Sequence, residues 1–360
     1  MEFVPDCVKV PKAAYKYSPP QEIVMFGKGK KAERFIYVNQ NLLPKEKQKL
    51  SELENEIRKG SLEGIPEGWS REELLRYCYG TNWKTPKILK NLKESLEWRK
   101  SFLGRDYKAL LPRVLPILTE GSIYIHGRDH YFRPILVLNI AKCSFKKHSI
   151  EEYTMGICFL LEYMIENMLL PGKVENWVVI ADMESQSIGL SHFKSLKKVV
   201  KVLTANYKSR LGCCYVLNAH KSVFFLWNLM KPLLDESTNQ KIQISNKNTT
   251  QGLIETCDSF QVEQKYSGTA PNQTKFWPPS FPYSEHCQTP QIEESNEIPT
   301  KEPSESIFSI CTYSTLRKPK KKPLLYEVLQ NTPENTPNHT SFEETKVNYA
   351  SCGPCTCTIL

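Results

Sequence analysis

The chain has 360 residues, 40% hydrophobic and 24% charged, enough for one large domain or two ordinary ones with a substantial core. Its formal charge is +9, and no run approaches the roughly 18 uncharged apolar residues of a spanning helix, which excludes a helical integral membrane protein. The start, MEFVPDC, has neither a secretory hydrophobic region nor the glycine that myristoylation requires, so a cytosolic chain is expected. Cys143, Cys158, Cys213 and Cys214 lie in apolar runs and read as reduced core residues.

Residues 1–33 are rich in Lys, Pro and Gly and are expected to be disordered. A helical lobe is predicted over 34–108. In LPKEKQKLSELENEIRKG the residues Leu50, Leu53 and Ile57 recur at spacings of three and four, up to Gly60. Ser70 and Glu73 form a capping box ahead of Leu74, Leu75 and Tyr77. A third helix opens at Thr85-Pro86 and runs through Ile88, Leu89, Leu92 and Leu96 to Trp98.

An α/β unit is predicted over 109–280. The run SIYIHGRDHYFRPILVLNI reads as two strands around a turn at Gly127-Arg128-Asp129. Ser149 and Glu152 make another capping box, and the helix behind them is stopped by Pro171-Gly172. WVVIADM, from Trp177, is apolar enough for a strand buried on both faces. A basic helix from Ser191 to Tyr207 leads to the strand CCYVLNA, then to the apolar segment 221–234 and a short strand at 241–245. Strands alternating with helices predict a largely parallel sheet.

From residue 281 to 360 a disordered tail is expected. Glu285 to Glu305 contains six Glu and one Lys, and NTPENTPNHT has no hydrophobic period. The tail carries the basic run Arg317 to Lys322 and ends in CGPCTCTIL. Cys357-Thr-Ile-Leu360 fits a prenylation motif, with the last Leu favouring geranylgeranyl, and Cys352 and Cys355 are palmitoylation candidates. A single lipid chain holds a membrane only marginally, so the two signals belong together. As a flexible leash the residues between 280 and Cys357 would span on the order of 45 to 50 Å.

No acidic residue occurs from Ser191 to Leu234, where Lys194, Lys197, Lys198 and Lys201 share one helix. Charge alone leaves solvated faces, anionic lipid and nucleic acid all open. No catalytic group stands out. Asp182 and Glu184 at a strand end read as caps or surface charges, and His126, His130, His148 and His220 lack metal spacing. No cofactor is expected.

Five segments in order resemble one family. They are REELLRYCYGTNW with SLEWRK, GRDHYFRPILVLN, VVIADMES, NYKSRLGCCYVLNA with LMKPLLDESTNQKI, and EQKYSGT. Together they are similar to the CRAL-TRIO lipid-binding proteins, which include the yeast-type phosphatidylinositol/phosphatidylcholine transfer proteins, over about residues 70 to 280. The resemblance implies an α/β fold: a sheet with flanking helices around a hydrophobic lipid cavity, preceded by a helical lobe and closed by a mobile helix. It implies a lining that includes Trp177, Val179, Phe225, Leu226 and Leu229, and polar contacts from Arg76, Thr238 and Lys241.

The headgroup positions depart from the family. The family's Tyr-Pro-Glu-Arg reads Tyr207-Lys-Ser-Arg210, so Ser209 replaces a Glu; Arg76 is the one arginine kept of three; Trp177 and Val179 stand where hydroxyl residues hold choline. Neither headgroup is assumed. The segment 221–234, apolar nearly all round, suits a lid that covers acyl chains with one face and enters a membrane with the other. Lys194, Lys197, Lys198 and Lys201 would then face anionic headgroups. The function expected is non-enzymatic binding, transfer or presentation of a phospholipid or other hydrophobic lipid at a cytosolic membrane face. The alternative is a membrane-anchored adaptor for a protein partner such as a small GTPase or its regulator; nucleic acid is not an expected partner.

Overall fold

The computed structural model describes residues 4–27, 32–62, 71–79, 81, 83–104, 106–184, 193–246 and 250–281. Ser70 of the first capping box and the tail with Cys352, Cys355 and Cys357 lie outside the described residues.

The expectation of a disordered N-terminus does not hold for residues 4–27. They contain α1 (Lys12–Lys16), α2 (Gln21–Val24) and β1 (Met25–Phe26), which pairs antiparallel with β2 (Glu33–Arg34). Val8, Ala14, Ile23, Val24 and Phe26 are buried. Arg128 donates to the Val8 carbonyl at 3.0 Å, and the Cys7 thiol donates to that of Pro279 at 3.3 Å. The apolar residues stand singly or in pairs among Lys and Pro, where no helical or strand period forms, yet each has a docking place on the folded surface.

The helical lobe follows the predicted pattern. In α3 (Pro44–Glu56) the Glu46 carboxylate accepts from the Leu43 amide at 2.7 Å and caps the first turn. Leu50 and Leu53 turn inward to meet Leu74 and Leu75 of α4 (Arg71–Leu75) and Ile88 and Leu92 of α5 (Thr85–Trp98). Burial of each such leucine or isoleucine is worth about 1.5 to 3 kcal/mol. Gly60 closes the first helical segment at φ +82°, a left-handed conformation that suits its missing Cβ.

After α6 (Leu111–Glu120) the chain forms β3 (Ile123–Arg128) and β4 (Pro134–Asn139), the expected hairpin. Then come α7 (Ile150–Asn167), β5 (Trp177–Asp182), α8 (Phe193–Asn206), β6 (Leu211–Leu217), α9 (Lys221–Met230), α10 (Glu236–Gln240), β7 (Ile242–Ile244) and α11 (Gln251–Ile254). The capping box ahead of α7 is present: Ser149 Oγ accepts from the Glu152 amide at 3.2 Å, and the Glu152 carboxylate accepts from the Ser149 amide at 2.7 Å. The strands run in chain order β3-β4-β5-β6-β7, the first pair antiparallel and the rest parallel.

The two faces of this sheet are covered differently. The outer face, with Tyr124, Val137, Val178, Ile180 and Tyr215, is sealed by Leu253, Cys257, Val262, Tyr266 and Phe276. Tyr124 donates to Glu263 at 2.6 Å and Tyr266 to Asp182 at 3.0 Å, which locks the segment down. Gly268, in the EQKYSGT turn, has no room for a side chain, since a Cβ there would lie 1.9 Å from the Val262 carbonyl oxygen. The inner face packs at its β3 and β4 side against α6 and α7 through Val114, Ile117, Cys158 and Leu161.

Candidate functional site

Burial on both faces, expected for β5 and the strand after the basic helix, is complete only on the outer face. Along β5 and β6 the side chains alternate: Val178, Ile180, Cys213, Tyr215 and Leu217 are buried, while Val179, Ala181, Cys214 and Val216 are half-buried. In the parallel register Val179 pairs with Cys214 and Cys214 with Ile242; Ala181 pairs with Val216 and Val216 with Ile244. All six belong to the inner face and none is fully covered. A half-covered strand normally alternates apolar with polar, but here both sets are apolar. Burial pushes the Cys214 thiol up to about 12 although its surface stays partly accessible.

The lid segment forms α9 and a 3-10 turn, Lys231–Leu233. Val223, Leu226 and Met230 make its buried stripe. Phe225 is 54% exposed and Leu229 38%, so these two, expected in the lining, stand with Leu233 on the exposed stripe. Trp177, also expected in the lining, is buried at the base of the inner face with its ring edge-on to Tyr207 at 5.9 Å. Of the other expected lining residues, Val179 lies in the half-buried strip of β5 and Leu226 on the buried stripe of α9.

The polar candidates take up other work. Arg76 is buried in ion pairs with Glu73 at 2.8 Å and with Glu175, and its guanidinium lies 4.1 Å from the centre of the Tyr37 ring. Lys241 is buried, paired to Glu33 at 2.8 Å and placed over the Phe35 ring. The Ser209 hydroxyl donates to the same Glu33 carboxylate at 2.6 Å, and Arg76 donates to the Ser209 carbonyl at 3.3 Å. Of the expected polar contacts, Arg76 and Lys241 thus both reach the surroundings of Ser209, one through its carbonyl and the other through Glu33. The carboxylate absent at Ser209 is replaced from β2 by Glu33, a residue sequence reasoning missed because it lay at the edge of a segment read as disordered. Thr238 stays outside the cluster, where its amide and hydroxyl donate to Asp235 at 2.7 and 2.9 Å and cap α10.

Next to this cluster, Arg210 donates to both Glu73 oxygens at 3.0 Å. Burial, and then the charge of Arg76, pushes the Arg210 guanidinium down from its ordinary range. Burial raises the Glu73 carboxyl, but Arg76 and Arg210 more than reverse this and hold it below the usual carboxylate range. The cations here are thus neutralised from within the chain. Lys194, Lys197, Lys198 and Lys201 are all exposed on α8. Asp182 accepts from Asn218, Tyr266 and the Glu184 amide and so serves the sheet's outer seal. No helix among the described residues is long and apolar enough to cross a membrane.

A sequence profile of the CRAL/TRIO domain matches residues 118–268. A CRAL-TRIO domain-containing protein of Schizosaccharomyces pombe is 24% identical over 234 residues, 62% of this chain and 22% of that one. Clavesin-1 of Rattus norvegicus is 23% identical over 204 residues, 55% of this chain and 57% of its own. The chain thus spans less than two thirds of the length of these relatives. Among solved structures Sfh5 aligns with 60% of this chain and 84% of its own at 15% identity, with a TM-score of 0.47.

Proposed function

The chain carries a CRAL/TRIO domain over residues 118–268, a domain of lipid-binding and lipid-transfer proteins, and from that premise we propose that it holds a hydrophobic lipid on the inner face of its sheet, beneath α9. One observation carries this reading: the strip Val179, Ala181, Cys214, Val216, Ile242 and Ile244 is apolar and only half covered by protein. Each large aliphatic group left partly in water forgoes a fraction of the roughly 1.5 to 3 kcal/mol that full burial is worth. An acyl or other aliphatic chain laid along the strip supplies the missing cover.

The headgroup is held weakly or by other groups, because Arg76 and Lys241 already have carboxylate partners. The exposed stripe of Phe225, Leu229 and Leu233, flanked by Lys221 and Lys231, suits the interface of a cytosolic membrane face. The lysines at 194, 197, 198 and 201 add attraction to anionic lipid, about 1 kcal/mol for each near the surface. Prenylation at Cys357 with palmitoylation at Cys352 or Cys355 would hold the protein there while the lipid is presented or passed on.

The test is mass spectrometry of organic extracts from the purified protein and from Val179→Trp. The parent is expected to yield near-stoichiometric lipid. The variant should stay folded, at a cost of about 1 to 3 kcal/mol, and carry less. An empty parent would sink the lipid reading in favour of an adaptor for a protein partner.

A further inference from the structure

A cavity of about 480 Å³ lies between α5, α7 and α8, with no strand and no residue of α9 in its wall. Trp98 and Phe102 from the lobe with Ile150 of α7 and Val202 of α8 supply its apolar surface, and Glu94 and Glu151 also line it. At about 30 Å³ for a group the size of water, it has room on the order of 16 such groups, one aliphatic chain rather than two.

Two polar groups at one end have unmet needs. Asn206 is only 5% exposed; its amide nitrogen donates to the Val202 carbonyl at 2.9 Å, but its Oδ1 has no hydrogen-bond partner among the described residues. Lys208, half-buried, has no ion-pair or hydrogen-bond partner among the described residues. Burial holds its ammonium below the ordinary range, against the opposing pull of Asp235. Asn206 and Lys208 also line an adjoining cleft of about 70 Å³, where Arg99 pairs with Glu162 at 2.8 Å and Arg210 with Glu73 at 3.0 Å, so that Lys208 is the cation left for a ligand. Lys198 and Lys201 stand along the same cavity, Lys198 within 3.4 Å of Glu151. A buried acceptor and a half-buried cation, both unanswered at the end of an apolar trough, specify an acid head with a hydroxyl donor on one chain.

We propose that this trough binds a single-chain anionic amphiphile of the lysophosphatidate or fatty-acid class. Its chain lies along Trp98, Phe102, Ile150 and Val202. Its acid group pairs with Lys208, and a glycerol hydroxyl donates to Asn206 Oδ1. The site is separate from the strip beneath α9 and stands whether or not a lipid occupies that strip.

Equilibrium dialysis of the full chain against oleoyl lysophosphatidate, oleate and uncharged monoolein, each below its micelle concentration, tests this. Both acids are expected to bind at least about tenfold more tightly than monoolein, and Lys208→Met should remove most of that difference. Ala205→Trp, at an exposed position on α8 that lines the cavity, should block all three, whereas Val179→Trp should leave them bound. A preference for lysophosphatidate that Asn206→Leu abolishes assigns the hydroxyl-bearing source; a preference for oleate that Asn206→Leu leaves in place assigns the fatty acid. The proposal is overturned if the three probes bind alike, if Ala205→Trp and Lys208→Met both leave acid binding unchanged, or if Val179→Trp abolishes it. The two readings fail independently because the variants separate them: lipid of the strip is lost from Val179→Trp and kept by Ala205→Trp, and amphiphile of the trough the reverse.

Discussion

His126 stands in β3 with 3% of its surface exposed, and neither ring nitrogen has a hydrogen-bond partner among the described residues. Its imidazole meets the Phe281 ring edge-on at 5.7 Å. Burial pulls its pKa down to about 4 from 6.5, a shift that Glu263 opposes and Lys265 reinforces. Between those values the unfolded chain binds a proton that the fold refuses, so stability falls as pH drops from 6.5 toward 4. From pH 7 to pH 5 the loss from this one group should be about 2 kcal/mol. Urea unfolding at the two pH values, for the parent and for His126→Phe, checks this. The variant should lose that part of the acid sensitivity, and an unchanged difference would mean that the imidazole titrates normally.

At the scale of elements, the N-terminal segment acts as a strap. Glu33 of β2 reaches Lys241 at the start of β7 and Ser209 before β6, while the amides of Tyr37 and Val38 donate to Glu175 at 3.0 Å. Glu33→Ala leaves the Lys241 ammonium buried without its carboxylate, which should cost about 3 to 5 kcal/mol. Glu33→Leu combined with Lys241→Met removes both charges and should cost much less. A urea midpoint for the double variant as low as that for Glu33→Ala would show that packing of the strap, not charge pairing, holds it. The same pair bears on the headgroup expectation: Lys241 is present, as the resemblance implies, and its ammonium is paired with Glu33 of β2.

For the whole molecule, the lipid-carrying role proposed above would gain from residence near a membrane. Cys357→Ser is therefore expected to move the protein from the membrane to the soluble fraction of cells, while the lipid recovered from it stays the same. Cys352→Ser with Cys355→Ser should leave an intermediate attachment, since one prenyl chain holds only marginally. Cell fractionation decides the matter. If Cys357→Ser stays on the membrane as firmly as the parent, the exposed stripe of α9 and the lysines of α8 do the holding.

Local features were legible in the sequence. The spacing of Leu50 and Leu53, the Ser149 and Glu152 box, the hairpin before β5 and the apolar length of α9 each need only neighbours a few residues apart, and the structure has all of them. The order of strands and helices likewise pointed to the parallel sheet. What the tertiary structure alone decided depends on partners far apart in the chain. Glu33 meets Ser209 across 176 residues and Lys241 across 208, and no period in the N-terminal segment announces either contact. The open side of β5 and β6 was hidden for a related reason: an apolar strand reads the same whether its second face meets protein or an apolar space. The trough between α5, α7 and α8 depends on how three separate helices are spaced. Sequence pattern records which side chains share a face, and packing determines what that face meets.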